Sequence, residues 1–131
     1  YDSSAFPQPL LTVDTVLFTF LDGVIQVLLI KRDNHPEKGK WGLPGGFLEI
    51  PQDADLEAAA YRKLEEKTGV TPPYLEQVCS VGNGRRDKRG WSVTVCYTAL
   101  TGLYCSSVHG TTSRRLVVLG VATEDLGRIG R

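Results

Sequence analysis

The stretch Trp41-Gly42-Leu43-Pro44-Gly45-Gly46-Phe47 and the later run Arg62-Lys63-Leu64-Glu65-Glu66-Lys67-Thr68-Gly69-Val70 restrict this chain more than any other feature. The first is too rich in glycine and proline for a plain strand, and a backbone without Cβ atoms permits close approach of a ligand. The second closes a helix predicted over 56–68. Pro51 to Asp55 supply its N-cap candidates, Gly69 takes the C′ position, and Pro72-Pro73 forbid continuation. On a wheel of about 100° per residue, Leu56, Ala59 and Ala60 share a face with Lys63, Glu66 and Lys67. A stripe that starts apolar and ends charged predicts a helix that packs on a sheet first and then projects into a cleft.

The sheet is legible in two places. From Leu11 to Phe20 the residues are β-branched and aromatic, with apolar side chains on both faces, as in a strand covered on both sides. Asp22-Gly23 suits a tight hairpin turn, and Val24 to Ile30 returns as the partner strand. Lys31 to Lys40 reads as a loop. Leu75 to Val81 is a further strand. A basic loop bracketed by Gly82, Gly84 and Gly90 follows, and then Trp91, Val93, Val95, Tyr97 and Ala99 alternate with Ser92, Thr94, Cys96 and Thr98. That period of two marks a half-buried strand. Residues 1–10 have no period and read as an arm, leaving 11–131 as one domain. After about residue 101 only Leu116 to Val121 forms an apolar run, and Thr123 to Ile129 makes a poor short helix at best.

Charge and cysteine usage exclude several classes. With 15 basic and 15 acidic residues the formal net charge is zero, so nothing global draws the chain to nucleic acid or an anionic membrane. The apolar stretch Val16 to Ile30 is broken by Thr19, Asp22, Gly23 and Gln26, against a membrane span. No signal peptide is visible, and three cysteines without C-x-x-C spacing suggest neither a disulfide framework nor a zinc site. These features point to a cytoplasmic domain. His35 and His109 have no evident partner in sequence.

Taken together, the glycine-rich stretch and the helix resemble the box of the Nudix superfamily, G-x5-E-x7-R-E-U-x-E-E-x-G-U with U aliphatic. The resemblance implies an α/β fold, a mixed β-sheet sandwiched by helices, and a site for a phosphate anhydride. It is also broken. The glutamates that hold Mg²⁺ in the family map onto Lys63, Glu66 and Lys67, so a local charge of −3 becomes +1. Mg²⁺ requires hard oxygen ligands, and ammonium groups offer none. Two like charges about 6 Å apart already repel by roughly 1–3 kcal/mol. The family spacing puts arginine fourteen residues after the glycine, whereas Arg62 stands sixteen after Gly46, and the box glutamate falls on Ala54. Asp53, Asp55 or Glu49 could reach inward instead and rescue catalysis.

Arg86-Asp87-Lys88-Arg89-Gly90-Trp91-Ser92-Val93-Thr94-Val95-Cys96-Tyr97 resembles a feature of ADP-ribose-handling Nudix proteins. Within that branch, Leu11-Thr12-Val13-Asp14, Asn34-His35-Pro36 and the lysine-bearing helix are similar to regulators of the NrtR type. Those are dimeric regulators of NAD metabolism in which a degraded Nudix domain senses ADP-ribose and a C-terminal winged helix-turn-helix binds DNA. No winged helix is present in 1–131, so DNA contact would need a domain absent from this chain.

The resemblance implies a ligand-binding site drawn from Arg32, Trp41, Gly45, Gly46, Phe47, Arg62, Lys63, Glu66, Lys67, Arg86, Asp87, Arg89 and Trp91, with no catalytic residue, and with no metal ligand beyond Glu66 at most. Fixed cations and backbone N–H donors suit a diphosphate, and Trp41, Trp91 or Phe47 suit adenine. Trp41 as a core plug, Arg62 as a structural tether and the basic loop as a solvated surface are the plainer readings. The expected function is a sensor that binds ADP-ribose or a similar nucleotide as a homodimer without a cofactor. The alternatives are a Mg²⁺-dependent hydrolase of ADP-ribose or a related nucleoside diphosphate derivative, and a nucleic-acid module built on Arg85, Arg86, Lys88 and Arg89, which zero net charge disfavours.

Overall fold

The computed structural model describes residues 1–21, 24–31, 39–101 and the backbone of 116–120. A 3-10 turn, Ser3–Ala5, precedes β1 (Leu10–Leu21), β2 (Val24–Lys31), β3 (Trp41–Gly42), β4 (Gly45–Phe47), α1 (Leu56–Thr68), β5 (Glu76–Asn83), β6 (Ser92–Leu100) and β7 (Leu116–Gly120). Among the described residues these strands form one mixed sheet in the order β3-β2-β1-β6-β5, with β4 also on β1 and β7 on β2.

β1 is the hub. Along one edge its first half pairs with β4 at Thr12–Asp14 and its last residues pair with β2. Along the other it runs parallel to β6 from Leu10 to Phe18. A parallel pair needs a long crossover, and α1 lies within it. The helix starts where Asp55 accepts a hydrogen bond from the Ala58 N–H at 2.7 Å. It ends at Gly69, whose φ of 72° is the left-handed cap that glycine adopts without penalty.

α1 covers one face of the sheet. Ala59 and Ala60 pack with Val13, Val95 and Tyr97, while Leu64 joins Leu17, Leu28, Val70 and Ala99. The buried stripe therefore runs through Ala59, Ala60, Leu64 and Thr68. Lys63 and Lys67 share that face, as expected, and are partly buried, while Glu66 stands at its exposed edge.

Two expectations about strands are corrected. β6 alternates as expected over Val95, Tyr97 and Ala99, which are buried, with Cys96 and Thr98 only partly so, but Ser92 and Thr94 on the other face are buried as well. Those hydroxyls tolerate burial because they are hydrogen-bonded. The Thr94 hydroxyl donates to Asp14 Oδ2 at 2.6 Å, and Arg86 Nη1 donates to the Ser92 hydroxyl at 2.7 Å. β1, expected to be covered on both sides, buries Val13, Thr15, Leu17 and Thr19 on one face, whereas on the other Thr12 is buried, Asp14, Val16 and Phe18 are partly buried and Phe20 is exposed. The glycine-rich stretch, as expected, makes no plain strand but two short pieces. They are separated at Leu43 and Pro44, where the Pro44 carbonyl accepts from the Thr15 N–H at 2.9 Å. The Asp22-Gly23 turn, Arg32 to Pro36, His109 and the expected helix over 123–129 lie outside the described residues. No helix among the described residues is long and apolar enough to cross a membrane.

Candidate functional site

The site is built where β4 meets the middle of α1. Gly46 sits against Lys63 so closely that a Cβ on Gly46 would lie 2.9 Å from Lys63 Cε and 3.0 Å from Cδ. The missing side chain is the space in which the lysine lies. Only 14% of the Lys63 side chain is exposed, and its ammonium lies 3.6 Å from Glu49 and 3.4 Å from Glu66. Of the three carboxylates that could have rescued catalysis, Glu49 is the one that faces this cluster. Asp55 caps the helix.

Asp53 is committed to Arg62. Its two oxygens accept from Nε and Nη2 of Arg62, each at 2.6 Å, and Oδ2 also accepts from the Glu49 N–H at 2.7 Å. The Asp53 side chain is 1% exposed. Such a bidentate pair is the strongest charge-assisted geometry a carboxylate finds. Asp53 stands one residue before Ala54, the position onto which the box glutamate maps. Arg62 also donates to Glu66 at 3.0 Å and to the Phe47 carbonyl at 3.4 Å, which ties the loop and β4 to the helix.

The Arg62 hydrogen bond lowers the Asp53 carboxyl to about 2, from an ordinary value of 3.8. Partial burial works against charge on Glu66, but the Arg62 hydrogen bond and the Lys63 charge hold its carboxyl below the usual range. A carboxyl lowered on folding stabilises the fold above its unfolded value and loses that contribution as pH falls through its folded value. Acid melting curves should therefore show the stability of the wild type falling between pH 3.8 and about 2. Asp53→Asn should melt lower at neutral pH and show a flatter dependence in that window.

A second cluster comes from the basic loop. Asn83 Oδ1 accepts from the N–H groups of Arg85 and Arg86, both at 2.8 Å, which turns the chain. Asp87 then holds Arg89, through Nε at 3.0 Å and Nη2 at 2.7 Å, and this partner lowers the Asp87 carboxyl to about 2. The Arg89 guanidinium lies 4.6 Å from the centre of the Phe47 ring. Phe47 thus joins the clusters, with its carbonyl on Arg62 and its ring under Arg89.

The structure therefore brings Gly46, Phe47, Arg62, Lys63, Glu66, Asp87 and Arg89 into one connected group. Gly45 lies behind it, packed on Val13 and Asp14 of β1. Lys67 is half-buried one turn beyond Lys63. The other expected residues stand elsewhere. Trp41 is partly exposed, with Lys31 6.0 Å from its ring centre. Trp91 is 56% exposed and lies over Gly82 and Gly84. Arg86 bonds Ser92, and Arg32 lies outside the described residues. Asp14, legible in the sequence only within the Leu11–Asp14 match, lies behind β4, where its carboxylate accepts from the Thr94 hydroxyl at 2.6 Å.

Mg²⁺, which the family box implies, does not fit this donor set. An ammonium occupies the space between Glu49 and Glu66, and two carboxylates already engaged by cations are poor ligands for a hard divalent ion.

Comparison with known proteins agrees with this geometry. The NUDIX domain model matches residues 10–112. The chain is 57% identical over 100 residues to the ADPR responsive transcriptional repressor NtrR of Acinetobacter baylyi, covering 76% of this chain and 40% of the repressor. It is 36% identical over 81 residues to an ADP-ribose pyrophosphatase of Methanocaldococcus jannaschii, covering 59% of this chain and 47% of that one. It thus spans less than half the length of these curated relatives. The NUDIX domain of Shewanella oneidensis NrtR, solved with ADP ribose, superposes with a TM-score of 0.84 at 49% identity, covering 98% of this chain and 82% of that one. The glycine-rich β4, the capped helix behind it and a match across most of its length place this chain in the NUDIX family.

Proposed function

We propose that this domain binds ADP-ribose without hydrolysing it at enzymatic rates, as the sensing part of a transcriptional regulator. The observation that carries the reading is the Lys63 ammonium between Glu49 and Glu66, a tethered cation where the family's hydrolases use a mobile one. An ammonium carries three N–H donors. Two face the carboxylates, and a diphosphate oxygen takes the third, with Lys67 adding charge one turn further on. A monovalent group on a four-carbon stem binds phosphate as a point charge but neither activates water nor spreads transition-state charge as a divalent metal does. Further support comes from the ADP-ribose complex of the similar Shewanella domain and from the repressor activity named for the Acinetobacter relative.

The wider reading is a cytoplasmic homodimer whose DNA contact is made by a segment outside residues 1–131. Adenine would stack on Phe47, Trp41 or Trp91, with Arg86 and Arg89 meeting phosphate or ribose.

Calorimetry with ADP-ribose in EDTA, together with an assay of AMP release in Mg²⁺, tests the proposal. Binding in EDTA is expected, with AMP release no greater than in buffer. Lys63→Ala plus Lys67→Ala should weaken binding about tenfold or more, equivalent to about 1.4 kcal/mol. Sustained turnover, or affinity that depends on Mg²⁺ and ignores the lysines, would establish the hydrolase reading instead.

A further inference from the structure

Away from the candidate site, the fold sets Cys79 of β5 directly opposite Cys96 of β6 in an antiparallel ladder. Nothing in the sequence spacing pairs them. Directly opposed residues project to the same face of a sheet. Their Cα atoms lie about 4.5–5.5 Å apart, inside the roughly 4.4–6.8 Å that disulfides span. Both thiols are free, Cys79 exposed and Cys96 partly buried. The ladder is irregular between Gln77 and Cys79, which leaves Val78 unpaired and gives the edge strand room to adjust. Cys96 is the less reactive of the two: burial, reinforced by the neighbouring Cys79, pushes its thiol up to about 11.

We infer that Cys79 and Cys96 form a reversible, redox-responsive modification site, in which Cys79 attacks a small disulfide and Cys96 resolves the product. In the first step the Cys79 thiolate attacks one sulfur of a low-molecular-weight disulfide and expels one small thiolate, leaving a mixed disulfide on Cys79. In the second, Cys96 releases its proton to solvent and its sulfur displaces the second small thiol from Cys79. Two protein thiols are oxidised, and one small disulfide is reduced to two thiols. The bond staples β5 to β6, the two arms that carry the loop bearing Arg86, Asp87 and Arg89.

The test is to incubate the reduced full chain with oxidised glutathione, block the remaining thiols by alkylation and map the peptides. The expected result is a Cys79–Cys96 link in monomeric protein, reversed by dithiothreitol, with Cys105 alkylated. Cys96→Ser should instead trap glutathione on Cys79. The inference is overturned if the wild type accumulates glutathione on Cys79 without resolution, if the link involves Cys105 or a second chain, or if both thiols remain unmodified. The wild-type map decides even if the variant does not fold.

Discussion

Gly45→Ala should unfold this domain readily, whereas the same change at Gly42 should be nearly silent. A Cβ on Gly45 would run into the Val13 carbonyl oxygen and Asp14 Oδ1 and come within 3.0 Å of Asp14 Cα. Two of these atoms are backbone of β1, which is held between β4 and β6 over the same residues, so neither can yield without opening the ladder. Overpacking at a site that cannot relax costs about 3 kcal/mol or more, a fall in melting temperature on the order of 10 °C for a domain of this size. At Gly42 a Cβ meets nothing within 4 Å. Gly46→Ala belongs to a third class, because the obstructing atoms are the flexible end of Lys63. It should keep most of the stability and lose ADP-ribose affinity. Melting curves for the three variants, with ADP-ribose titrations, check the ordering; equal stability of the Gly45 and Gly42 variants would refute the account.

The contrast between adjacent glycines shows what sequence could deliver. A glycine pair advertises close approach, but whether a strand or a lysine approaches is a tertiary fact. The helix was legible over its whole length because its punctuation is local: Asp55, Gly69 and Pro72-Pro73 act within a few residues of where they stand. β1, β2 and β6 were legible from apolar content and period. The burial of Ser92 and Thr94 was not, because it depends on Asp14 and Arg86, distant in sequence. The same reason hid the pairing of Cys79 with Cys96.

At the candidate site, the charge inversion was plain in the box, whereas its consequence was only half visible. Two lysines and one glutamate suggested a net positive pocket. The fold returns Glu49 to that pocket and locks Asp53 on Arg62, so Lys63 and Arg62 each meet an acidic partner. The insertion of two residues looked like damage; it supplies the loop from which Glu49 and Asp53 fold back.

Restoring the two box carboxylates should create a divalent-cation site where, among the described residues, no group of three or more metal-ligating side chains stands. In Lys63→Glu plus Lys67→Glu, the ammonium between Glu49 and Glu66 is removed and two carboxylates are added beside Glu66, with Arg62 still held by Asp53. Without metal the variant should be less stable than the wild type, since each new like-charge pair at about 6 Å costs roughly 1–3 kcal/mol. Mg²⁺ resolves that repulsion, because clustered carboxylates are the hard oxygen ligands it accepts. A ligand that binds only the folded state stabilises it by about 2.7 kcal/mol at a hundred times its dissociation constant, which corresponds to a rise in melting temperature of about 10 °C. Thermal scans across a Mg²⁺ titration should show a saturable rise for the double variant and almost none for the wild type. If the wild type rises equally, its lysines do not exclude the metal and the tethered-cation account fails. If neither responds, Glu49 and Glu66 do not face the position the lysine vacates. The variant also separates binding from chemistry: should it bind Mg²⁺ and ADP-ribose together yet release no AMP, the loop carboxylate, Asp53 in place of a residue at Ala54, limits hydrolysis as much as the lysines do.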